Sequence, residues 1–377
     1  MNADIVEFYR SLMERRGLAA IVAGSPENFA HVTGFPVPSQ ILMRWRHAMA
    51  VVPRHGAPEL VIVDMEQTTV RKRLPNAKLH IWREFSDSAM KVLAGVLGAM
   101  GLAREAIGLE LDYLPAADFA TLHAALPGAK LAAVHDDLAR LRQIKTPREI
   151  EILRRLSRLA DRAITDAFRS VHAGMSEMDI AAAVTRNVFV GGGEDYRLLI
   201  VATGERSVLP NVGPSERVLK RGDVCRVEVF PKIQGYYAGI CRTAVVQTPP
   251  PHAERIWANL TACKYLLLER MKPGVSCRAI YELFLAKLRE IDLPPISFVG
   301  HGIGLHLHED PYLGTHPMIG SDADAELEAG MVLGIEPLVY ETGHGFGMQN
   351  KDLVLVTETG CELLSDYCDT DRLIVVE

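Results

Sequence analysis

The stretch Thr146-Pro147-Arg148-Glu149 constrains the fold more than any other. A threonine followed by proline is a helix start, because the hydroxyl caps a first-turn amide and proline at the first position gives up only an unpaired N–H. Leu153, Leu156, Leu159, Ala160 and Ile164 then recur at helical spacing, so a long amphipathic helix begins there. Helical patterning already runs from Asp137, which marks the segment as a linker entering that helix. At 377 residues the chain exceeds what one hydrophobic core serves. We expect two domains, residues 1–137 and 138–377.

Before the linker, helical and strand-like runs alternate. Residues 5–16, 88–100 and 115–126 have helical periodicity, and Pro26 with Phe29, Val32 and Thr33 predicts a short helix. Apolar runs at 18–23, 47–52, 59–64, 79–82 and 106–110 read as strands. Such alternation predicts an α/β layer domain. Within it, Arg44 and Arg46 flank Trp45. They are either a solvated pair or a fork of donors that clamps a carboxylate.

After the linker, a helix at 179–188 ends in Gly191–Gly193, and strand-like runs follow at 198–202, 223–230, 236–246, 331–335 and 352–356. Helices at 250–271 and 276–290 separate them, which predicts an α+β arrangement of antiparallel sheet and helices. The densest chemistry is in G-H-G-I-G-L-H-L-H-E-D-P, residues 300–311, with Glu336 in G-I-E-P-L beyond it. Three histidines and two acids are ligands and proton carriers, and the glycines around His301 let backbone approach whatever they serve. The alternative is a solvated polar turn.

Composition removes several classes of function. A net charge of −6 with no basic stripe argues against nucleic acid. No apolar run is long enough to span a bilayer, and residues 1–10 lack the charged start and apolar run of a signal peptide. Six cysteines without a C-x-x-C pair argue against a zinc knuckle or a disulfide framework, so a cytoplasmic location is expected.

The second half resembles the pita-bread family of methionine aminopeptidase, aminopeptidase P, prolidase and creatinase. The matching motifs are residues 144–150, Pro214-Ser215-Glu216-Arg217 before Gly222-Asp223, Gly235-Tyr236, Arg242-Thr243, residues 300–305 and 308–311, Gly330-Met331, Glu336-Pro337 and residues 352–357. The resemblance implies an α+β fold, with a C-terminal pita-bread domain preceded by a smaller α/β creatinase-type N-terminal domain. Its peptidase members hold two divalent ions on two aspartates, one histidine and two glutamates. Those positions fall here on Glu228, Gly239, His301, Glu336 and Lys351, and an arginine two residues before the last is Gln349. Glycine offers no ligand and lysine brings positive charge, so no metal and no cofactor are expected.

Creatinase is the family's metal-free precedent, and the hairpin through Gly239 resembles it. The match is partial, since creatinase-type catalytic positions fall on Asn211, Cys241 and Lys351. The resemblance implies a metal-independent, creatinase-like hydrolase of a C–N bond, amide or amidine, in a small polar metabolite. The alternatives are a metal-dependent Xaa-Pro peptidase and an inactive binding protein. His301 is then the principal general acid/base, and Glu228 and Glu336 bind a substrate cation, with Glu228 a possible nucleophile. His308 and Lys351 stabilise developing negative charge. Cys241 is a small core residue or a thiolate beside Lys351. Asn211 and Tyr237 are substrate-binding candidates. A homodimer is implied, with Arg44, Trp45 and Arg46 capping the partner's pocket.

Overall fold

Short apolar runs form the centre of the first unit, Met1–Leu141, of a computed structural model that describes residues 1–315 and 325–377. Its strands are β1 (Ala20–Ala23), β2 (Met49–Pro53), β3 (Glu59–Val63), β4 (Lys78–Trp82), β5 (Ala106–Leu109) and β6 (Lys130–Ala133), in the order β4-β3-β2-β1-β5-β6. Both faces are covered. Ile21 and Ala23 pack with the helix Ala3–Arg16, whereas Val22 between them packs with the helix Ala89–Ala99. Period-two alternation therefore feeds two cores at once, which is why these strands read as continuous apolar runs. The edge strand β6 carries no such run, and sequence patterning passes over it.

In the second unit, Arg142–Glu377, the helix Pro147–Ser170 starts where the sequence places it. The Thr146 hydroxyl accepts from Glu149 N, and the Glu149 carboxylate accepts from Thr146 N at 2.8 Å. Beyond it lie β7 (Asp195–Thr203), β8 (Val224–Ile233), β9 (Tyr236–Tyr237), β10 (Ile240–Val246), β11 (Phe298–Gly302) and β12 (Glu309–Gly314). The remaining strands are β13 (Val332–Ile335), β14 (Leu338–Val339), β15 (Met348–Gln349), β16 (Asp352–Val356), β17 (Cys361–Leu363) and β18 (Ile374–Val376). One sheet runs β18-β10-β8-β7 with β9 on β8; a second runs β12-β11-β13-β16-β17; β14 and β15 pair separately. The helices Ala253–Arg270 and Cys277–Glu290 share a core with the second sheet.

Sequence patterning gives no element to residues 298–314, yet His301 lies on β11, opposite Tyr312 and Gly334. Its glycine neighbours mask the strand, and the structure explains them. A Cβ on Gly300 would stand 2.5 Å from the Gly334 carbonyl, and one on Gly302 would stand 2.3 Å from that of Asp310. Only glycine lets these strands approach so closely.

The two large sheets join at a bridge between Cys241 and Lys351, whose amides and carbonyls exchange hydrogen bonds of 3.3 Å. Arg242 fixes that junction. It is 1% exposed, donates to both bridge carbonyls, and pairs with Asp161 at 2.8 Å and Asp352 at 2.6 Å. Lys264 completes the network on Asp352 at 3.0 Å. Among the described residues no helix is long and apolar enough to cross a membrane. Replacing Arg242 with leucine strands buried carboxylate charge. Urea unfolding should show a loss of about 3–5 kcal/mol, and a loss below about 1 kcal/mol would mean the network is incidental.

Candidate active site

Four side chains from both sheets converge on one buried point. Glu228 comes from β8, His301 from β11, Glu336 from the residue after β13, and Lys351 from the turn into β16. Their exposures are 5%, 0%, 3% and 1%. Lys351 Nζ lies 2.9 Å from Glu228 Oε1, 3.3 Å from Glu336 Oε2 and 3.3 Å from His301 Nε2. An ammonium has three donors, and these neighbours use all of them.

The proton positions follow from these contacts. His301 Nδ1 lies 2.7 Å from the Gly302 carbonyl, so Nδ1 carries a proton. Nε2 faces Lys351 Nζ and, also at 3.3 Å, Glu336 Oε1. The lysine only donates, so it bonds Nε2 through the imidazole lone pair; the carboxylate only accepts, so it bonds Nε2 only when that nitrogen is protonated. Without that proton, Glu336 Oε1 is a buried acceptor lacking a hydrogen-bond partner among the described residues. Burial would raise the Glu336 carboxyl, but the Lys351 ammonium and His301 outweigh it and hold the group well below the usual carboxylate range. Burial would likewise lower Lys351, and the Glu228 and Glu336 charges push it above the ordinary lysine value instead.

His308 stacks on His301, with ring centroids 3.7 Å apart and planes 14° from parallel. Its outer edge is exposed. Loss of water from the stacked face, with the Lys351 ammonium nearby, pushes it well below the usual imidazole value. Glu309, the next residue, is an anchor. Its carboxylate accepts from Arg142 at 3.2 Å, Lys145 at 2.9 Å and the backbone amides of Leu305 and His306, which fixes the loop after β11.

The other sequence candidates make contacts of their own. Cys241 stands opposite Glu228 in the β8–β10 ladder and is fully buried. Burial raises its thiol far above the ordinary cysteine value, so the thiolate entertained from sequence does not form, and the residue packs the junction. Asn211 is exposed; the Tyr237 amide donates to Gly304 O at 2.8 Å. In the first unit Arg44 donates to Tyr113 O, while Trp45 and Arg46 both donate to Glu84, the latter at 2.7 Å.

Sequence reasoning missed Arg226. It is fully buried and donates to Gln349 Oε1 at 3.1 Å, and the Gln349 amide donates onward to Glu336 at 2.8 Å and Glu228 at 3.4 Å. Arg226 also holds the carbonyls of Leu209 and Pro210. Strand periodicity carried the signal, since Arg226 and Glu228 share one face of β8.

A mixed α/β unit ahead of two helix-backed sheets, with histidine and carboxylates where the sheets meet, defines a pita-bread hydrolase of two domains. Residues 151–358 match metallopeptidase family M24, and residues 6–144 match the creatinase/prolidase N-terminal domain. The chain belongs to metallopeptidase family M24. The probable dipeptidase PepE of Mycobacterium tuberculosis is 28% identical over 332 residues, 86% of this chain and 84% of that protein. The Xaa-Pro dipeptidase of Pyrococcus horikoshii is 25% identical over 366 residues, 96% of this chain and 95% of that protein. The X-Pro aminopeptidase of Thermotoga maritima superposes with a TM-score of 0.84 at 23% identity, covering 98% of this chain and 99% of that one.

These relatives correct the expectation of a creatinase-like hydrolase of a small non-peptide metabolite, because they are named as dipeptidases and Xaa-Pro peptidases. The metal that the family name implies does not fit the residues present. Glu228, His301 and Glu336 point at Lys351 Nζ, and Gly239 brings no ligand. Among the described residues no three His, Cys, Asp or Glu side chains form a metal-binding group.

The buried acids predict the stability profile. Burial would raise Glu309, but Lys145 and Arg142 hold it at about 2 against an ordinary 4.5, and Glu336 is lowered as well. Groups with lowered folded values contribute fully above the unfolded value and lose that contribution as pH falls toward the folded one. Unfolding free energy should therefore hold above about pH 5 and decline from there toward about pH 2. Glu309→Gln should flatten the decline; an unchanged acid slope in that variant would contradict the assignment.

Proposed function

We propose that the chain cleaves the amide bond of a short peptide at the Glu228–His301–Glu336–Lys351 cluster, with Xaa-Pro dipeptides as the substrate class. The observation that carries this is the partnerless Glu336 Oε1, buried beside His301 in a chain whose relatives are named for dipeptide cleavage. The N-terminal ammonium of an Xaa-Pro dipeptide, whose one peptide bond carries no N–H, supplies the donor that oxygen lacks.

His301 is the general base. Its Nε2 takes a proton from water as the water oxygen bonds the scissile carbonyl carbon, and the imidazolium formed then donates to Glu336 Oε1. The same transfer releases the Lys351 N–H that Nε2 had accepted. That donor turns to the oxyanion developing on the carbonyl. When the C–N bond breaks, Nε2 returns its proton to the leaving nitrogen, and the resting contacts re-form. His308 stacks on His301 and, held neutral, adds no competing charge.

The resemblance also supports a homodimer, for which light scattering should return twice the chain mass; the mass of one chain would remove it. Purified protein should release proline from a panel of Xaa-Pro dipeptides. His301→Ala should lower kcat/KM by about 10²–10⁴-fold. A folded chain that releases no proline and shows no calorimetric binding of any dipeptide would overturn the peptidase reading.

A further inference from the structure

We propose that Lys351 and Phe230 together take the place of the metal pair that the family name implies, so that this chain carries a built-in ammonium at its hydrolytic centre and holds no binuclear site. The inference rests on the peptidase proposal only for what the pocket is used for.

Three features of the packing support it. Lys351 spends its donors on Glu228, Glu336 and His301, the surviving members of the implied ligand set. The second-aspartate position is filled by something else. A Cβ on Gly239 would stand 2.2 Å from Phe230 Cε1, so the ring occupies the space a ligand there would need. The same ring lies 4.8 Å from Lys351 Nζ, where its face attracts the ammonium. Gly334 completes the accommodation: a Cβ there would come 3.2 Å from Lys351 Cε, so the absence of a side chain admits the lysine stem.

Charge points the same way. Of the four carboxylates the resemblance assigns, Glu228 and Glu336 remain. Arg226 bears on both through Gln349. Two divalent ions would sit beside an ammonium and near a guanidinium with two carboxylates to balance them, an arrangement that Coulomb repulsion in a buried pocket disfavours.

Ion uptake by the full chain tests this. Protein dialysed against manganese or zinc chloride and then desalted should carry far less than one ion per chain by plasma mass spectrometry, and its Tm should not move with either ion. Lys351→Gln retains Glu228, His301 and Glu336. It should gain saturable uptake of about one ion per chain, with a Tm that climbs with ion concentration. Stoichiometric ion on the wild-type chain would overturn the proposal, as would a folded Lys351→Gln variant that takes up no more than wild type. The wild-type measurement needs no variant, so misfolding of Lys351→Gln does not shield the proposal. Uptake is read without substrate. An ion-loaded wild-type chain that cleaves dipeptides sinks this proposal and spares the peptidase reading; an ion-free chain that binds no dipeptide does the reverse.

Discussion

The ammonium of Lys351, held between Glu228 and Glu336 and against His301, is the interaction on which the second unit's centre depends. Each of the four comes from a different element, and their convergence requires the two large sheets to meet at the Cys241–Lys351 bridge. Arg242, Asp161, Asp352 and Lys264 hold that bridge from behind. Desolvating so many charges is costly, and apolar packing of equal volume is often as stable or more so. A stability argument therefore does not account for this centre. Buried groups with strongly shifted proton affinities mark sites of chemistry.

The chemistry available is set by geometry at one atom. His301 Nε2 has a donor on one side and an acceptor on the other, at equal distances of 3.3 Å. Protonation exchanges one partner for the other, so a proton taken up at Nε2 is stabilised by Glu336 while a lysine N–H is released. In the proposed mechanism a single transfer thus prepares both the acid for the leaving nitrogen and the electrostatic partner for an oxyanion. The relatives are named as dipeptidases, which supports the peptide substrate class proposed for this chain over the one the creatinase-like hairpin suggested.

Much of this was legible in the sequence. The Thr146-Pro147 start and the apolar stripe after it set the long helix, and most strands of the first unit showed as apolar runs because both faces are covered. The strand carrying His301 was hidden, since glycines chosen for close approach of backbones lower apparent strand character. Glu228, His301, His308, Glu336 and Lys351 were recognisable by position, and the structure brings them together. Arg226 and Phe230 were not, and Gln349 showed only as a substituted family position, because their importance lies in contacts between segments remote in sequence. Glu309 belonged to the most conspicuous motif and turned out to anchor a loop. Arg44, Trp45 and Arg46 find partners within their own unit.

The most direct test of the central claim is anomalous diffraction at the manganese edge from crystals of the chain grown with manganese. The account predicts no anomalous peak within coordination distance of His301, with Lys351 Nζ in hydrogen-bond contact with Glu228 and Glu336. A peak bounded by Glu228, His301 and Glu336, with Lys351 turned away from them, would contradict it.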